Sequence, residues 1–133
     1  MFHPMGYDEQ SRTYLASFSG TLTDQDMAAS DVAARECLAL HGPTAGLLDF
    51  SHVVSCALTS AQTASRGSQP EIMVGQKRAI VANAAVYGMM RMFHAYQPQD
   101  SVAPMILRTL PEAYEALGLV ACDFHPRALD LVC

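Results

Sequence analysis

The chain has 133 residues, 50% of them apolar and 16% charged, which supplies enough hydrophobic material for one folded domain over 1–133 and excludes global disorder. Eight basic residues against 13 acidic ones give a net charge of −5, so the dominant cationic surface that DNA or RNA requires is not expected. No stretch approaches the roughly 20 consecutive apolar residues of a spanning helix, and Met1 to Gln10 lacks the cationic-then-apolar order of a signal peptide; the expectation is a cytoplasmic protein with no membrane span.

The first ten residues mix Phe2, Met5 and Tyr7 with His3, Pro4, Gly6 and Asp8, a pattern compatible with an edge strand, where proline is tolerated. Arg12 to Ser19 alternates at period two and meets a turn at Gly20, as a half-buried strand does. A helix follows. Thr23 with Asp26 caps it, acidic residues crowd its first turn, and Gly42-Pro43 closes it. Its apolar stripe reads as Ala29, Val32, Ala33, Cys37 and Leu40, an arc that also contains Glu36 without explanation. Ala45 to Phe50 is a short buried-type strand, and a loop holding His52 and Cys56 leads to a second helix. Thr59 and Gln62 form a capping-box pattern there, and Gly67 supplies the stop. Gly67, Ser68, Pro70 and Gly75 then mark a loop.

Arg78 to Asn83 reads as the central strand. In the helix after it, Val86, Met89, Met90, Phe93 and Tyr96 share one face, while Arg91 and His94 point elsewhere. Ala103 to Arg108 is a further buried-type strand, and Thr109, Pro111 and Glu112 open a last helix whose apolar face is Leu110, Ala113, Tyr114 and Leu117 and whose stop is Gly118. Leu119 to Cys133 has no clear period. Four alternations of strand and helix imply an α/β fold: a mostly parallel or mixed sheet of four to five strands with about four helices.

Several chemistries lack their residues. The cysteines Cys37, Cys56, Cys122 and Cys133 show no CxxC spacing and read as reduced structural thiols, Cys37 as a small core residue. His52 and Cys56 are spaced for a metal only on a helix, so no metal site is expected. Neither GxSxG nor a glycine-rich phosphate loop is present, and no catalytic residues or cofactor are assigned. Charge is segregated: Thr21 to Glu36 carries Asp24, Asp26, Asp31 and Glu36 against Arg35, and Ile72 to Pro111 carries Lys77, Arg78, Arg91 and Arg108 against Asp100. Solvated faces account for such a pattern; steering of an anion, or pairing of the two segments across a homodimer, is the functional alternative. The methionines around Phe93 read as adaptable core filling or as the wall of an apolar pocket. Met92 lies off the main stripe and is the one placed to face a partner or ligand. Tyr87, Met89, Met92 and Phe93 are therefore the candidate ligand residues.

Three fragments together resemble a known family: SGTLTDQD (Ser19 to Asp26), GLLDF (Gly46 to Phe50), and RAIVANAAVYGMMRMF (Arg78 to Phe93) with RTLPEAYEALGL (Arg108 to Leu119). They resemble the SpoIIAA-like branch of the STAS superfamily, the anti-sigma-factor-antagonist fold, over roughly residues 12–119. The resemblance implies an α/β sandwich of four or five strands and a non-enzymatic regulatory or protein-interaction module, working with a protein partner or a second copy of itself. Its alternative is a carrier of a small apolar or amphipathic ligand, as suggested for some members of that branch. The best-known STAS proteins carry an Asp-Ser-Ser stretch, with its phosphorylated serine, at the start of the second helix. This chain departs there, with Ala57, Leu58 and Thr59 near that place and no Asp-Ser pair. Thr59 and Ser60 remain as candidate phosphate acceptors at a helix N-terminus, against the simpler role of a helix cap.

Overall fold

Strand β1 (Phe2–Asp8) pairs antiparallel with β2 (Thr13–Leu22), and Pro4 sits where a bulge before Gly6 interrupts the ladder. The expected edge strand is thus observed, with proline at a position that need not donate. The computed structural model describes residues 1–69, 72, 76–97 and 104–118. Within them the chain continues through α1 (Asp24–His41), β3 (Ala45–Cys56), α2 (Ser60–Gly67), β4 (Arg78–Val81), α3 (Ala84–Ala95), β5 (Met105–Leu107) and α4 (Leu110–Leu117). The fold is α/β: β2 to β5 run parallel, β1 is antiparallel, and the five-stranded sheet is ordered β1-β2-β3-β4-β5. The interior strand read as central, β4, is one place off centre; β3 holds the middle. The region from Leu119 onward, and Ala103 of the expected last strand, lie outside the described residues.

Alternation along the strands divides the core in two. Tyr14, Ala16, Phe18 and Ile80 face α1 and α3, where Met27, Ala34, Cys37, Val86 and Met90 complete one cluster. Leu15, Leu47, Ala79 and Val81 face the other way, onto Ala113 and Tyr114 of α4. Phe18 and Phe50 stack across β2 and β3, with ring centroids 4.5 Å apart. On the α4 side, burial and the charge of the largely buried Asp49 push the Tyr114 phenol above the ordinary tyrosine pKa.

Both long strands outrun their expected ends. β2 passes Gly20 to reach Leu22, and β3 passes Phe50 to reach Cys56, so His52 and Cys56 lie in a strand rather than a loop. Register shifts between Ser17 and Ser19 and between Gly20 and Thr21 break the period-two pattern that would have announced the extra length. Helix α1 is rotated from its expected setting. Its buried residues are Met27, Ser30, Ala34 and Cys37, while Ala29 is exposed and Val32 and Leu40 stand 53% and 62% exposed. A helix rich in alanine leaves its apolar face poorly marked, and the rotation carries Glu36 into solvent, which removes the difficulty that residue posed. Tyr96, expected on the buried face of α3, is 52% exposed at its C-cap.

The helix starts follow their caps. Thr23 and Asp26 form a reciprocal capping box at α1, and Thr59 and Gln62 another at α2. Thr109 caps α4 with Pro111 in the first turn, and Gly118 closes it in the left-handed conformation. Asn83 caps α3, and its side-chain amide also donates to the carbonyls of Ser51 and Val53, at 3.2 and 2.7 Å, tying the start of α3 to β3.

Candidate functional site

The parallel registers Gly46 with Arg78 and Leu48 with Ile80 set the whole of β4 beside the amino-terminal half of β3. Gly46 has no side chain to raise above the sheet, and α1, α2 and α3 span this region without closing on it. They leave a cavity of about 130 Å³. Its floor is Tyr14, Leu48 and Ile80, and its helical walls include Met27 and Ala34 of α1 and Met89, Met90 and Phe93 of α3. An apolar void of roughly 150 Å³ accepts benzene, so this one has room for a small ring or a short alkyl chain.

The rim is polar. Ser30, Thr63, Gln69 and Gln97 border it with the charged residues Asp31, Arg35, Arg66 and Arg78. Arg66 at the end of α2 reaches back to α1: its Nε donates to Asp24 at 2.9 Å and its Nη1 to Asp31 at 2.5 Å, and its Nη2 donates to the Asp24 carbonyl at 3.3 Å. Burial pulls the Arg66 pKa down, but the hydrogen bonds and charges of Asp31 and Asp24 outweigh it and hold the group above the ordinary arginine value. This cation was absent from the charge tally read along the sequence, and it absorbs two of the acidic residues found there. A third, Asp26, is used in the α1 cap. Three of the four acidic residues of that segment are therefore engaged within the chain, and Glu36 faces solvent. The Gln97 side-chain oxygen is buried without a hydrogen-bond donor among the described residues, a polar group open to a ligand or a water.

Of the four candidate ligand residues, Met89 and Phe93 line the cavity together, one turn apart on α3. Tyr87 and Met92 do not. They are exposed and lie about 140° apart around the helix. Arg91 sits 6.0 Å from the centroid of the Tyr87 ring, at the outer limit of a cation–π contact. Thr59 acts as the α2 cap: its hydroxyl accepts from the Gln62 amide at 3.1 Å, and the Gln62 side-chain oxygen accepts from the Thr59 amide at 2.9 Å. Ser60, beside it, is exposed at the first position of α2. Tyr14, Met27, Leu48 and Ile80 escaped the sequence reading because each alone is an ordinary core residue; only the sheet register assembles them.

Cys37 is buried and Cys56 half-buried, and neither forms a disulfide among the described residues. Among the described residues, no group of three or more His, Cys, Asp or Glu is placed to hold a metal ion, and no helix is long and apolar enough to cross a membrane. No protein-family model matches the chain, and no curated protein matches it.

Proposed function

We propose that this chain is a cytoplasmic, non-enzymatic module of STAS-like type that holds a small apolar or amphipathic ligand between its helices and its sheet, in a regulatory role. The cavity beneath α3 carries this reading. Methionines and a phenylalanine packed to completion would be core and nothing more, whereas Met27, Met89, Met90 and Phe93 around an open volume form an adaptable binding wall. The polar rim adds groups that orient a ligand whose one end is polar.

A second reading, in which the module contacts a protein partner or a second copy of itself, is favoured by Val32 and Leu40, which α1 leaves exposed. Native mass spectrometry of the protein purified from cells, under gentle and then denaturing conditions, separates the two. Extra mass that vanishes on denaturation is the result expected for a ligand carrier. A clean monomer mass, unaltered by incubation with short-chain amphiphiles, would overturn that reading, and a dimer mass without ligand would favour the second. A mass increase of one phosphate that survives denaturation would instead move attention to Thr59 and Ser60.

A further inference from the structure

Among the described residues the sheet ends on β1, and an open edge is a template on which another strand can pair. This one lacks the usual deterrent: Phe2, Met5 and Tyr7 are apolar, and Phe2–Asp8 holds no lysine or arginine. The Ser19 amide donates to the Met1 carbonyl at 3.0 Å, and Phe2 and Pro4 lie opposite Phe18 and Ala16. Successive residues of an antiparallel strand turn their backbone groups alternately toward the partner and away from it, so Met1 and His3 face β2 while Phe2 and Pro4 face outward. The outward amide of Phe2 is taken. It donates to Asp26 Oδ1, in the first turn of α1, at 3.1 Å. Pro4 has no amide to offer, and the register shift between Pro4 and Gly6 interrupts the row beyond it.

Independently of any ligand, we infer that β1 is a sealed edge: Asp26 and Pro4 withhold its outward amide donors and so keep a second copy of the chain from pairing with it, β1 against β1. Asp26 divides its carboxylate between two tasks. Oδ2 accepts from the Thr23 amide and hydroxyl, both at 3.0 Å, and closes the helix cap, while Oδ1 takes the Phe2 amide. The start of α1 thus locks the edge of the sheet. A strand arriving at β1 would find the carbonyls of Phe2 and Pro4 but no free amide at either position, whereas a ladder needs donors and acceptors from both strands. Two copies meeting antiparallel about a twofold axis would each lack the same donors.

Sedimentation velocity of the unaltered chain, of Thr23→Ala and of the double variant Pro4→Ala/Asp26→Ala, at equal concentrations, tests the seal. The double variant regains both donors, and its sedimenting mass is expected to rise to about twice that of the unaltered protein, the closed pair formed when two edges join. Thr23→Ala weakens the same cap while Phe2 keeps its acceptor, so it is expected to retain the unaltered mass. A double variant that unfolds cooperatively on heating and yet keeps the unaltered mass would overturn the inference. Doubling in Thr23→Ala as well would trace the effect to the frayed helix and overturn the role of Asp26, and open-ended polymers would overturn the pairing of β1 with β1. Amide exchange on the unaltered, ¹⁵N-labelled chain does not depend on the variant folding. The Phe2 amide is expected to exchange about tenfold or more slowly than in a free peptide, and exchange at the free-peptide rate would overturn the seal.

Discussion

At Gly67 a hydrogen atom in place of a methyl group sets the distance between two helices. A Cβ there would lie 2.6 Å from the Phe93 carbonyl oxygen and 2.7 Å from the Tyr96 Cβ, and neither atom can rotate away. The residue does end α2, but the cap is Ser68 in a right-handed conformation, so its helix-stop reading in the sequence named the right place for the wrong reason. Gly67→Ala is expected to destabilise the protein by about 1–3 kcal/mol through overpacking. Gly88 is the internal control. It is exposed within α3, and a Cβ there would meet nothing within 4 Å, so Gly88→Ala is expected to raise stability by up to about 1 kcal/mol through helix propensity. Urea unfolding of the two variants reads both numbers, and effects of the same sign would contradict the packing described at α2 and α3. Since Phe93 also lines the cavity, the Gly67→Ala variant should weaken ligand binding as well.

Helix α1 shows how a local signal and a distant one differ in what they reveal. Its start is fixed by neighbours three positions apart: Asp26 accepts from the Thr23 amide and hydroxyl, both at 3.0 Å, and the Thr23 hydroxyl accepts from the Asp26 amide at 3.2 Å. Burial raises the Asp26 carboxyl, but the hydrogen bonds from Thr23 and the nearby terminal ammonium bring it below the ordinary aspartate value. A carboxyl depressed in the folded state contributes stability that is present above its unfolded pKa, near 4, and is lost as pH falls through the folded value. Asp26→Asn is therefore expected to cost about 1 kcal/mol at pH 7, with the gap to the unaltered protein narrowing as the pH falls below about 4. Thermal unfolding across that range checks it; a gap that widened in acid would contradict the assignment.

Caps of this kind were legible in the sequence at Thr23, Thr59 and Thr109 because each is a matter of four adjacent residues. The buried face of α1 was not, since alanines on both sides of the helix blur the stripe and the buried Ser30 counts as polar. Nor were the ends of β2 and β3, since two register shifts, each with an extra residue in β3, disrupt the alternation there. The site was half legible. Met89 and Phe93 share a helix face that spacing discloses, whereas Arg66 meets Asp24 and Asp31 at separations of 42 and 35 residues, which no local pattern encodes.

At the scale of the whole fold, the two faces of the sheet differ in cover among the described residues, with α1 and α3 packed on one and α4 on the other. Open α/β sheets ordinarily take ligands outside the carboxyl ends of their strands. Here the volume lies over the amino-terminal half of β3 and over β4, so the ligand proposed for it would sit away from the end that the rule favours. The void also has a thermal consequence. At roughly 24 cal/mol per Å³, an unfilled volume of about 130 Å³ forfeits at most about 3 kcal/mol relative to a filled core. A domain of this size has only some 5–15 kcal/mol in hand. The empty protein should accordingly be the heat-labile form. Whatever occupies the void acts by mass action on the folded state alone, and the melting temperature should climb with the logarithm of occupant concentration once its Kd is passed. Differential scanning calorimetry against a ligand series reads that slope directly, and a melting temperature indifferent to every compound that fits would mean the gap is a tolerated defect rather than a seat.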